Sequence, residues 1–289
     1  MTIPGIMIPF LYLIALIVLL IAAYTDIKTR EVPDWLNFSL IGIGLGIRLL
    51  YSVIQWNCWI FLYGVFGFLA FLILALIMYY AGQWGGGDSK MLMGLGALIG
   101  LELRLDSFLL QFLILMLFAG AVYGIIWTGT LAVMHRKKFA EKFVELNIKY
   151  IKTKKIILAI AVALFVISFF MDIFFKVYLL VLTLIILIFF YTWAFAKSVE
   201  LSCMHKVIPV NKLTEGDWVV NDIIVKGEKI CGPKDLGIEK KQIERLKELK
   251  IKEVLIKEGI PFVPSFLIAF VINLILEHYN IALIGFFII

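Results

Sequence analysis

Apolar runs about twenty residues long recur along the chain, and a bilayer is the solvent that suits so many of them. Runs at 4–24, 35–53, 59–81, 107–134, 156–174, 177–196 and 262–288 are each long enough to cross a hydrocarbon layer about 30 Å thick. A shorter run at 89–101 is read as a spanning helix buried among its neighbours, its start set inside the membrane. At 63% hydrophobic residues, a soluble core has no use for this much apolar surface. The first run has no basic flank and no small-residue cleavage site, so it reads as a retained helix rather than a signal peptide. The fold class expected is an all-α polytopic membrane protein of about eight transmembrane helices, with a small α+β cytoplasmic subdomain.

Charge sets the orientation. Between Arg136 and Lys155 stand eight cations and two glutamates, an excess of six that equals the net charge of the whole chain. By the positive-inside rule this segment is cytoplasmic. Counting back through five helices puts Asp26 and Asp88 on the same side, and both termini outside. The loops 51–58, 101–107 and 172–176, on the other side, are poor in cations. The segment 135–155 reads as an interfacial amphipathic helix, with Phe139, Phe143, Leu146 and Tyr150 at helical spacing, and its expected role is contact with anionic lipid. Nucleic acid is not an expected partner, since topology accounts for the charge and no recognition motif accompanies it.

The domains expected are a catalytic membrane core at 1–134, the basic segment at 135–155, two further helices at 156–196, a soluble subdomain at 197–259 and a C-terminal helix at 260–289. In the subdomain, strands are expected at 207–210, 218–225 and 253–256, and an amphipathic helix at 239–250 carries Ile243, Leu246 and Leu249 on its apolar face. Asp217, Asp222, Glu228 and Asp235 lack the spacing of a metal site and read as solvated loop residues. The three cysteines form no Cys-x-x-Cys pair, so no zinc, thiol-redox or disulfide framework is signalled. Gly42, Gly44, Gly46, Gly64, Gly67, Gly94, Gly96 and Gly100 are expected to let the second, third and fourth helices approach closely. The sequence assigns no oligomeric state.

Two carboxylates interrupt this apolar plan. Gly82-Gln83-Trp84-Gly85-Gly86-Gly87-Asp88-Ser89-Lys90 is a polar break between two apolar runs, so Asp88 lies at the membrane boundary. An ionisable group there is a candidate functional residue. The alternative is structural: Gly85 to Gly87 make a tight turn and Asp88 caps the next helix. Asp26 ends the first apolar run in Tyr24-Thr25-Asp26-Ile27-Lys28-Thr29-Arg30-Glu31-Val32-Pro33-Asp34 and taken alone reads as part of an ordinary turn.

Together the two segments resemble the prepilin and preflagellin peptidases, membrane aspartyl proteases with a Gly-x-Gly-Asp motif. Gly85-Gly86-Gly87-Asp88 fits that motif, Lys90-Met91-Leu92 fits the lysine and apolar pair that follow it, and Asp26 through Pro33-Asp34 fits the first-aspartate segment. The resemblance is close from Asp26 to Gly100 and points to an archaeal member. It implies an endopeptidase that cuts short basic leaders from type IV prepilins or preflagellins at the cytoplasmic face of the cell membrane, with Asp26 and Asp88 catalytic. Gly85, Gly86, Gly87 and Lys90 would support the motif, and Glu31 and Asp34 are candidates for attracting the basic leader. No cofactor or metal is implied. Bacterial relatives also methylate the new N-terminus and carry a cysteine-rich zinc domain; none is recognised here, so peptidase activity alone is expected. Gly259-Ile260-Pro261-Phe262-Val263-Pro264 looks like a proline-containing segment of those relatives.

The chemistry follows from the pair. Two carboxylates held close together do not both ionise easily, so one serves as base toward a water while the other donates a proton to the developing oxyanion. Which aspartate is the base stays open. The sequence has no His-Glu-x-x-His motif and no histidine beside a nucleophilic serine. Presenilin-like proteases share Gly-x-Gly-Asp, but here Thr25 precedes Asp26 and Pro264-Ser265-Phe266 only echoes their third signature. A transporter using the two aspartates for cations or protons is the rival from another class; no clear internal repeat accompanies it.

Overall fold

The structure, a computed structural model, describes residues 6–104, 106–225 and 227–281. Its helices are α1 Met7–Thr29, α2 Asp34–Ile54, α3 Trp59–Tyr80, α4 Gly86–Ile99, α5 Phe108–Met134, α6 Arg136–Lys149, α7 Ile151–Ser168, α8 Ile173–Val199, α9 Lys240–Glu248 and α10 Val263–His278. Among the described residues five helices are long and apolar enough to cross a membrane: α1, α2, α3, α5, and α8 with its π-helical extension to Met204. The expected count of eight therefore stands at five by length and composition. The helix α4 has 14 residues, about 21 Å of rise. Lys152, Lys154 and Lys155 lie in the first turns of α7. The helix α10 is described over 16 residues of the span expected at 262–288, whose last part, 282–288, falls outside the described residues.

The chain divides into two compact units, the first comprising 1–125, 234–239 and 259–289, the second 126–233 and 240–258. Within the first, α4 is wrapped by α2 and α3. A Cβ on Gly67 would collide with the Gly96 carbonyl oxygen, and one on Gly96 with Gly67, so α3 and α4 touch backbone to backbone. A Cβ on Gly44 would meet Leu98 Cα at 2.8 Å, which brings α2 onto the same helix. Gly42 and Gly46, by contrast, face open space and do not serve close approach.

The C-terminus of α4 solves a problem of buried charge. Arg48 of α2 is only 2% exposed, a costly place for a cation. Its guanidinium donates to the carbonyls of Leu98 (3.1 and 3.2 Å) and Ile99 on the last turn of α4, and to Ile60 (3.2 Å) near the start of α3. Those α4 carbonyls have no intrahelical partner and carry the negative end of the helix dipole. Gly100 turns the chain away at φ +77°, and any side chain there would strike the guanidinium.

In the second unit, α6 and α7 are almost continuous, broken at Tyr150 (φ −101°, ψ 23°). No glycine or proline separates them, so α7 starts at Ile151 rather than at the expected 156. It stops at Ser168, before the expected 174, because Asp172 takes the N-cap of α8 and accepts from the N–H groups of Phe174 and Phe175 at 3.0 and 3.3 Å. Five strands follow: β1 His205–Pro209, β2 Trp218–Val219, β3 Ile223–Val225, β4 Glu228–Cys231 and β5 Glu253–Lys257. They form an antiparallel sheet in the order β1-β5-β2 and a β3–β4 hairpin. The single strand expected at 218–225 is thus two, parted by the turn-forming pair Asn221-Asp222. The helix α9 buries Ile243 and Leu246 as expected.

Gly67→Ala is expected to destabilise the protein in detergent by about 1–3 kcal/mol through overpacking, while Gly42→Ala is neutral or slightly stabilising. Thermal unfolding of both variants beside the parent measures the difference.

Candidate active site

Asp26 and Asp88 reach the same region from different helix ends. Asp26 sits in the last turn of α1, which runs past the expected 24 to Thr29 and ends at Arg30 in the left-handed conformation (φ 62°). Asp26 as a whole residue is 5% exposed. Across 237 residues of sequence, the Val263 N–H donates to Asp26 Oδ2 at 2.9 Å. Val263 opens α10, which has no side-chain cap of its own and carries proline in its first turn. Asp26 therefore satisfies an amide that the helix itself leaves unpaired, and it stands at the positive end of the helix dipole.

Asp88 occupies the third position of α4. Its Oδ2 accepts from the Gly85 N–H at 3.3 Å, reaching back over the helix start. Gly85 has no side chain to reciprocate, so only half of a capping box is present. The tight turn expected for Gly85 to Gly87 is not there: Gly86 and Gly87 are the first helical residues, Gly85 is extended at φ −73°, and the left-handed residue of the break is Gly82 (φ 66°). The three glycines matter by what they leave room for. A Cβ on Gly87 would lie 3.4 Å from Val32 Cβ, so the loop after α1 packs on this glycine. A Cβ on Gly85 would lie 3.7 Å from Asp88 Oδ2, and Gly86 faces open space.

Trp84 fixes the break. It is buried, with ring centroids 5.8 Å from Phe262 and 5.7 Å from Phe266. Phe262 in turn fills the space above Gly120 of α5. The start of α10 thus holds both segments, Asp26 through a backbone amide and the glycine-rich break through aromatic packing. Asp26 and Asp88 are near enough to interact electrostatically. Arg30 and Tyr123 share the electrostatic surroundings of Asp26.

The remaining expected residues divide. Lys90 pairs with Asp34 at 2.6 Å and lies over the Phe38 ring (5.6 Å), so its partner is the first-aspartate segment rather than Asp88. Glu31 is exposed. Sequence reasoning missed Trp84, Val32 and the Val263 amide. A tryptophan inside a polar glycine run was the available signal for the first; a backbone amide leaves none.

A membrane protein with paired aspartates at helix ends is the class this geometry defines. Residues 13–128 match the type IV leader peptidase family. Among curated relatives, the preflagellin peptidase of Methanocaldococcus jannaschii is 36% identical over 88 residues, 30% of this chain and 37% of that protein. That of Methanococcus voltae is 38% identical over 88 residues, again 30% and 37%. A prepilin peptidase of Methanothermobacter thermautotrophicus is 30% identical over 95 residues, 33% of this chain and 25% of its own. The chain thus spans little more than a third of the preflagellin peptidases it matches. No solved structure matches.

Asp26→Ala strips the start of α10 of its acceptor and is expected to cost about 1.5–3 kcal/mol, whereas Asp26→Asn keeps an oxygen for Val263 and costs markedly less. Unfolding of the two variants in detergent, followed by tryptophan fluorescence, separates them.

Proposed function

We propose that this chain is a membrane-embedded aspartyl endopeptidase that removes the short basic leader from type IV prepilin or preflagellin precursors at the cytoplasmic face of the cell membrane. The observation that carries the reading is the approach of Asp26, held by the first amide of α10, to Asp88, both aspartates lying within the segment 13–128 that matches the leader peptidase family. One carboxylate, anionic, takes a proton from a water as that water attacks the scissile carbonyl. The other, protonated, donates to the developing oxyanion, and the two exchange roles as the amine leaves. The proton belongs to the pair rather than to either residue. The reading needs no covalent intermediate, metal or organic cofactor.

The catalytic core in this reading is 1–134 together with α10, whose first amide orients Asp26. Open space at Gly86 and the lack of any side chain on Gly85 leave room beside the start of α4 for an extended peptide in this reading. Glu31, exposed at the end of α1, is the stronger candidate for attracting a basic leader, because Asp34 already neutralises Lys90.

The test is leader removal from prepilin and preflagellin precursors in membranes holding the parent protein, Asp26→Asn or Asp88→Asn. Cleavage by the parent and loss of at least about a thousandfold in either variant, with normal insertion, is the expected result. Cleavage surviving either change overturns the paired mechanism; a parent that cuts neither class of precursor returns the two aspartates to the transport reading. Glu31→Gln is expected to raise KM for a basic leader severalfold with kcat little changed, the mark of lost attraction rather than lost chemistry.

A further inference from the structure

The second unit holds a groove of about 530 Å³ where α6, the first turns of α7 and the later part of α8 meet. One wall is apolar and outward-facing: Val144, Ile148, Ile151 and Leu158 are all exposed, side chains that water would not favour together. The other wall is polar and ordered. Asn147 donates from its amide to the Phe143 carbonyl at 2.8 Å, which turns its oxygen toward Lys154 (3.4 Å). Lys154 lies over the Tyr191 ring at 5.7 Å, so its ammonium is held at the mouth rather than left to swing. Lys155 lines the same groove. Below it, Tyr150 packs edge-on against Trp193 at 5.1 Å, an aromatic pair of the kind that sits at headgroup level.

Charge selects the occupant. The unit concentrates the whole net charge of the chain between residues 136 and 155, and neither acidic residue there lines the groove: Glu145 is paired with Lys142 at 2.6 Å, and Glu141 is absent from its walls. Two ammonium groups beside a hydrocarbon wall, in the first turns of α7, complement a molecule that is anionic at one end and aliphatic at the other. We propose that this groove binds an anionic phospholipid, its phosphate between Lys154 and Lys155 and one chain along Ile148, Ile151 and Leu158. This is a defined site, beyond the diffuse attraction that any basic juxtamembrane helix exerts.

Native mass spectrometry of the full-length protein in detergent, titrated with phosphatidylglycerol or phosphatidylcholine, tests it. The parent is expected to bind one phosphatidylglycerol at least tenfold more tightly than phosphatidylcholine. The double variant Lys154→Gln, Lys155→Gln is expected to lose that preference by roughly ten- to thirtyfold, while Lys137→Gln, Lys138→Gln, which removes the same charge outside the groove, keeps it. Ile148→Ser is expected to weaken both lipids alike. Equal losses in the two lysine pairs mean diffuse attraction and overturn the site. Displacement of the lipid by millimolar inorganic phosphate, or no preference between the two lipids in the parent, overturns the lipid as its occupant.

Discussion

One hydrogen bond organises the N-terminal part of this protein: the Val263 amide, at the start of α10, donating to the buried carboxylate of Asp26. A carboxylate removed from water needs partners, and the first amides of a helix need acceptors. Each group removes the other's cost. The bond also fixes where α10 begins, and through Phe262 and Phe266 that start clamps Trp84 and with it the glycine-rich break that carries Asp88. Two aspartates belonging to different helices therefore share one support.

Close backbone packing is the second constraint. The helix α4 is too short to order itself independently in a bilayer, and it is held by glycines on three helices and by Arg48 on its C-terminal carbonyls. Its two ends are treated oppositely: an arginine from a neighbouring helix closes the negative end, while the positive end is left to Asp88 and to open space at Gly86. Since membrane helices gain little from apolar contact with each other, backbone approach and polar ties supply much of what holds them together.

The second unit follows different rules. Its helices α7 and α8 leave many apolar side chains exposed, and a run of eight cations lies in α6 and the first turns of α7. A short antiparallel sheet and an amphipathic helix continue the chain beyond the π-helical end of α8.

The sequence alone was enough to place the first three helices, because hydropathy is written along the chain one residue at a time: the runs at 4–24, 35–53 and 59–81 reappear as α1, α2 and α3 within a few residues. It also marked Asp26 and Asp88, since a charge beside an apolar run is visible without any fold. The function of the glycines was only half legible, for Gly44 and Gly67 meet backbone while Gly42 and Gly46 meet nothing, and helical spacing does not distinguish them. What tertiary structure alone decided is which groups meet: Lys90 with Asp34 instead of Asp88, Val32 against Gly87, and a main-chain amide 237 residues away on Asp26. Every residue but proline carries that amide, so no pattern of side chains announces the one that is used.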